Sequence, residues 1–295
     1  MNKIPVGQTI RFAYAFTFGE IGTVIGLVWI PLVINAVAEF LVERNFAGAG
    51  PGDGSSLPPG FGYFALYSIV AVLLIAMIAS AIARQAMGLR HGPALAHVSL
   101  GTAELHVFGG IAGLYLLFFI FAMGVTLAAV LVGGLASTLV PAKAAGEAIG
   151  AAAGSLAALA GLCAIFYAMV RLGFLFVPAA IDGGGFGLSR SWALTAGNFW
   201  RIVAIAAATS LPVSLAVLAI NLTILGPDYI ANFAAMIQDQ SHLAKYAAEQ
   251  SRITSAKLPM LLGVSLVLAP LSYGLLFAPA AFAYRALSGK SALPE

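Results

Sequence analysis

Few side chains in this sequence are equipped for chemistry, and the densest group of them is His91, His97, Glu104 and His106. Histidine and carboxylate are zinc ligands, but zinc sites recur as closely spaced pairs, often with cysteine. Here the spacings are six, seven and two residues, with no cysteine among them. The group reads as solvated loop residues, and no metal site is expected. No zinc-protease His-Glu pair, nucleophile elbow or glycine-rich phosphate loop with its lysine occurs. Gly183-Gly184-Gly185 before Phe186 reads more simply as a hinge. Catalysis needs convergent acids, bases, nucleophiles or ligands. None converge, so no catalytic residue, cofactor or enzymatic activity is expected.

Arg171 is the sharpest single residue, because it stands in a long apolar run reaching to about position 181. If that run is one helix, Arg171 lies ten residues from its end, roughly 15 Å at the α-helical rise. An arginine at mid-membrane costs at least ~2.5 kcal/mol and must pair or face a cavity. Alternatively the helix breaks before Pro178 and Arg171 reaches the headgroups along its own aliphatic stem. Glu20, Glu104 and Asp182 are the candidate partners and complete a possible intramembrane polar site, whereas Glu39 begins too far towards the other side. Asn35 and Asn221 read as amides bridging neighbouring helices.

These residues are embedded in a chain of 295 residues, 61% hydrophobic and 8% charged, with mean hydropathy +0.99. Soluble domains carry about 25% charged residues, so a conventional soluble enzyme is excluded. Apolar runs of membrane-crossing length lie at about 21–41, 63–83, 107–131, 156–181, 202–221 and 258–285. Lipid offers backbone groups no partner, so each must be helical, and the alternation of a membrane barrel is absent. The expected architecture is all-α: a polytopic bundle of six transmembrane helices in three hairpins. Ala36-Val37-Ala38 resembles a signal-peptidase site, but its long apolar run follows a leader containing Glu20, so an uncleaved first helix is expected. The single cysteine, Cys163, reads as a small hydrophobe.

Charge sets the orientation. Nine of the fourteen basic residues, Lys3, Arg11, Arg84, Arg90, Arg171, Arg190, Arg201, Arg285 and Lys290, fall on the side of the termini and the second and fourth loops. The positive-inside rule then makes both termini cytoplasmic, as in a multi-pass protein of a bacterial inner (plasma) membrane. No basic run or stripe of the kind nucleic acid requires is present. The expected partners are the lipid bilayer and other membrane proteins, and the oligomeric state stays open.

Residues 7–18 and 187–197 precede the first and fifth spans and mix aromatics with arginine, so both are expected to be interfacial helices. Arg190, Trp192, Trp200 and Arg201 are the expected anchors at the headgroup level. The first outer loop, 43–62, is rich in Gly, Pro and Ser and reads as a flexible connector. Residues 228–250 carry apolar side chains at helical spacing and are expected to form one amphipathic helix on the outer face, a lid or a binding surface. Gly22/Gly26, Gly109/Gly113 and Gly150/Gly154 have the spacing that lets membrane helices approach closely.

Two internal matches support three hairpins in the same orientation. Residues 173–180 (GFLFVPAA) match 274–281 (GLLFAPAA) at six of eight positions, and Phe18, Ile21 and Pro31 align without gaps on Phe199, Ile202 and Pro212. Arg171-Leu172-Gly173-Phe174, Pro178-Ala179-Ala180, Gly183 to Gly185, and the run from Ser189-Arg190-Ser191-Trp192 to Asn198-Phe199-Trp200-Arg201 resemble the signature of a bacterial six-helix membrane family. That family is named for the membrane domain attached to some glycerophosphoryl diester phosphodiesterases. The motif covers about 30 residues, and Asp182 stands where a longer acidic residue is the family pattern. The phosphodiesterase chemistry belongs to a separate soluble barrel domain. The resemblance therefore implies a membrane module, not an activity.

Overall fold

A backbone inside an apolar run can satisfy its polar groups only within the run itself, and six long helices result. The computed structural model describes residues 3–46, 61–90, 98–140, 142–239 and 242–289. His91, His97, Lys290 and most of the 43–62 loop lie outside these residues. Among those described there is no strand. In chain order the helices are α1 (Val6–Gly19), α2 (Ile21–Phe46), α3 (Phe61–Ala86), α4 (Thr102–Thr138), α5 (Lys143–Gly173), α6 (Phe176–Gly183), α7 (Leu188–Leu194), α8 (Phe199–Leu225), α9 (Pro227–Gln238) and α10 (Leu243–Ser288). Six of them are long and apolar enough to cross a membrane, with α5 and α6 together forming one crossing.

The crossings pair as three hairpins: α2 with α3, α4 with α5, and α8 with α10. The first is antiparallel, because Gln85 Nε2 donates to Glu20 Oε2 (3.1 Å) at one end and Tyr67 OH lies 3.5 Å from Glu39 Oε2 at the other. The core is concentrated at the end where the chain begins, which we call the near end. Leu27, Ile78, Ile82, Leu175, Ile202, Ile205 and Tyr284 are fully or almost fully buried there.

Several boundaries differ from the sequence reading, each for a packing reason. Residues 7–18 do not lie flat on a surface. Ile4 and Tyr14 meet Asn198 and Ala208, so α1 runs in the sense of α8. Phe12 and Thr17 meet Phe282 and Gly274, so it opposes α10. Its Thr9, Ala13, Phe16 and Thr17 are buried. The crossing drawn over 156–181 is not one helix: Pro178 has no N–H and crowds the carbonyl four residues earlier, that of Phe174. The chain turns at Phe174 and Leu175 and restarts as α6, whose residues from Phe176 to Ala180 are all buried. The matching stretch around Pro279 stays helical within α10, where α1 packs so closely that a Cβ on Gly274 would fall 2.7 Å from Thr17. Residues 228–250 form two helices rather than one. α9 ends at Gln238, α10 begins at Leu243, and Asn232 Nδ2 ties them through the Tyr246 carbonyl and Gln250 Oε1, both 2.8 Å away. The helix that carries the sixth crossing consequently begins well before position 258.

The α4–α5 hairpin stands apart from this core. Between Gly110 and Arg171 its only buried residues, among those described, are Gly146 and Gly150, and the hairpin itself buries them. A Cβ on Gly150 would fall 2.6 Å from the Gly133 carbonyl oxygen, and one on Gly146 2.6 Å from that of Ser137. The Gly150/Gly154 spacing therefore zips α4 to α5. Gly22 meets nothing and packs no helix closely.

Candidate functional site

The four residues of the expected polar site fall into separate contacts. Arg171 occupies the last turn of α5, just before the break, with 9% of its surface exposed. Its guanidinium stacks on Trp192 (3.9 Å to the ring centroid) and faces Tyr167 (5.5 Å). It donates from Nη1 to the Tyr167 hydroxyl (3.0 Å), from Nη2 to the Trp192 carbonyl and, more weakly, from Nε to Thr195 Oγ1 (3.4 Å). In return Ser191 Oγ and Thr195 Oγ1 donate to the Arg171 carbonyl, at 2.9 and 3.2 Å. No carboxylate pairs with Arg171 among the described residues. Instead its charge sits against the negative ends of two helix dipoles, those of α5 and α7. Arg171 thus locks α7 beneath the end of α5. Tyr167 packs against Phe199, the first residue of α8, so Arg171 lies at the level of the helix ends rather than of their midpoints.

Glu104, expected with the neighbouring histidines as a solvated loop residue, is instead 1% exposed and lies in the first turn of α4, whose start it fixes. Its Oε2 accepts from the Gly101 N–H (2.9 Å), one of the amides a helix start leaves without a partner, and its Oε1 lies 3.4 Å from Arg84 Nη1 and 3.5 Å from Ser80 Oγ. Asp182, at the end of α6, accepts from the Tyr284 hydroxyl (2.8 Å) and pairs with Arg190 (3.4 Å), which also lies over the Tyr284 ring. Arg190 lies across Gly183, where a Cβ would fall 2.4 Å from its Nη1 and the guanidinium would have to shift. Gly187, at φ +69°, lets the chain graze the Phe176 carbonyl and turn into α7. Between these glycines Phe186 seats its ring against Gly109 of α4. Glu20 is exposed, and among the described residues its carboxylate is held by Gln85 alone.

The expected anchors divide in the same way. Arg190 is taken by Asp182, and the Trp192 ring by Arg171. Arg201 Nη1 donates to the Ile4 carbonyl (2.8 Å), while Asn198 Oδ1 accepts from the Ile4 N–H (3.1 Å), pinning the chain start beside α8. Trp200, 76% exposed, is the anchor left free to meet a surrounding phase. Among the described residues the near end carries eight basic side chains (3, 11, 84, 90, 171, 190, 201 and 285) and three acidic ones (20, 104 and 182). At Arg90, burial and then the neighbouring Arg84 push the guanidinium below its ordinary value.

Of one polar seam the sequence reading gave a role only to Asn35, as a bridging amide. Asn35, Glu39 and Glu43 recur every four residues along α2, and Glu39 meets Tyr67 of α3 while Ser255 of α10 donates to Glu43 (2.7 Å). Its signal was the four-residue spacing, which places all three on one helix face. Among the described residues no three metal-ligating side chains come together. No protein-family model, curated protein or solved structure matches the chain.

Proposed function

We propose that this chain is a non-catalytic module of a bacterial inner (plasma) membrane, a scaffold or accessory protein of the six-helix family that its 171–201 segment resembles, with both termini cytoplasmic. One observation carries the reading: every buried or partly buried charged candidate ties one segment of the chain to another. Arg171 holds α7 to α5, Glu104 holds the start of α4 to α3, and Asp182 holds α6 to α7 and α10. The groups that would have to converge for catalysis or substrate binding are used separately, in fastening connecting segments to the membrane helices. The excess of basic residues at the near end supports the orientation.

A second reading, a small transporter or lipid-handling protein, is favoured by the isolation of the α4–α5 hairpin, which among the described residues is buried against the rest of the bundle only at its foot, near Arg171. The two readings differ in what fills the space around that foot. Phe166, half exposed one turn before Arg171, lies in that region. Phe166→Cys in a Cys163→Ala background, challenged in sealed vesicles with a membrane-impermeant thiol reagent, tests them. The scaffold reading predicts protection from both sides, because lipid covers the position. Labelling from either side would reveal a water-filled cleft and overturn it in favour of transport.

A further inference from the structure

We infer that the outer surface of α1 and the start of α8 form a binding surface for anionic phospholipid headgroups, with Lys3, Arg11 and Arg201 supplying the charge and Trp200 the insertion into the bilayer. This rests on the reading that the near end faces the cytoplasmic leaflet. Buried residues at 9, 13, 16 and 17 turn one side of α1 to the core, so 7, 8, 11, 15 and 18 share the opposite, exposed side. Arg11 stands on it three residues before Tyr14, whose hydroxyl reaches the Ala208 carbonyl, so it belongs to the flank nearest α8. Lys3 is exposed, and neither Lys3 nor Arg11 has a hydrogen-bond or ion-pair partner among the described residues. Arg201 is drawn to the same place by the Ile4 carbonyl next to Lys3, a bond that uses one of its five N–H donors.

Charge selects the occupant. Two of the three acidic groups of the near end, Glu104 and Asp182, are already paired with Arg84 and Arg190, which leaves this patch with a positive field. A phosphate-bearing headgroup matches an arginine fork and a lysine point charge. The exposed Trp200, next to Arg201, adds apolar surface beside the cations, the combination that sits at a headgroup boundary.

The test uses the whole protein reconstituted in phosphatidylcholine nanodiscs containing a trace of spin-labelled phosphatidylglycerol or phosphatidylcholine. The immobilised fraction of each label reports lipid selectivity. The expected result is selection of phosphatidylglycerol, reduced about fivefold for each cation removed in Lys3→Gln and Arg11→Gln, from a contribution of about 1 kcal/mol per cation. Neither residue has a side-chain partner among the described residues, so these variants are expected to keep the fold. Arg252→Gln, at the far end, is expected to match the unaltered protein. Equal immobilisation of both labels, or unchanged selectivity in the Lys3→Gln/Arg11→Gln double variant, would overturn the inference. A cysteine at the exposed Gln8, in a Cys163→Ala background, tests the orientation separately. Labelling from outside with selectivity kept would refute the cytoplasmic placement and leave headgroup binding standing; labelling from inside with no selectivity would do the reverse.

Discussion

Arg171 is the residue whose removal the fold should feel most clearly, and the size of the effect follows from its contacts. Arg171→Ala deletes charge-assisted bonds to the Tyr167 hydroxyl and the Trp192 carbonyl, each worth about 1.5–3 kcal/mol. It also deletes a desolvated stack on Trp192, about 2 kcal/mol. Against that gross loss of about 5–8 kcal/mol stands the desolvation of a buried guanidinium, several kcal/mol that alanine does not incur. The net cost is about 2–4 kcal/mol. Arg171→Lys keeps the charge and one carbonyl bond but loses the planar fork and the stack, and should cost about 1–2 kcal/mol. Equilibrium unfolding in detergent measures both, and hydrogen exchange across 188–194 reports whether α7 opens first. Stability of Arg171→Ala within about 0.5 kcal/mol of the unaltered protein, the range of an ordinary surface substitution, would refute the assignment of Arg171 as the lock on α7. So would unchanged exchange in α7.

Two further predictions concern packing. Gly150→Ala places a methyl 2.6 Å from the Gly133 carbonyl oxygen and should destabilise by about 1–3 kcal/mol. Gly22→Ala, which meets nothing, should stay within about 0.5 kcal/mol; equal effects in unfolding titrations would remove the zipper as the cause of α4–α5 pairing. At the end of α6, Tyr284→Phe removes a hydrogen bond to a carboxylate from a fully buried ring and should cost about 1.5–3 kcal/mol. Asp182→Asn keeps an acceptor for that hydroxyl and loses the partly exposed ion pair with Arg190, worth about 0–1 kcal/mol. The reverse order in the same unfolding assay would show that the ion pair, not the hydroxyl, fastens α6.

What the sequence by itself determined is the membrane class, the six crossings and their pairing. Continuous apolar runs admit one backbone solution in lipid, whatever their neighbours. The break near Pro178 was legible as one of two alternatives, because a missing N–H is a local property. Its counterpart at Pro279 was not, since the same octapeptide pattern stays helical when α1 packs on it at Gly274. Arg171 was identifiable as an unusual residue, because charge in an apolar run is rare and costly, and Glu104 and Asp182 only as carboxylates on its side of the chain. Their partners were not identifiable. Arg171 meets a carbonyl and two rings up to 21 residues away, and Asp182 meets Tyr284 across 102. Carbonyls and aromatic faces are present everywhere and leave no mark in a sequence, whereas carboxylates do, so the search for a partner turned to the wrong groups. Only the tertiary structure could decide which of these groups meet, because their approach depends on Gly187 and on the turn at Phe174. Those features bring α6 and α7 back under the ends of the membrane helices.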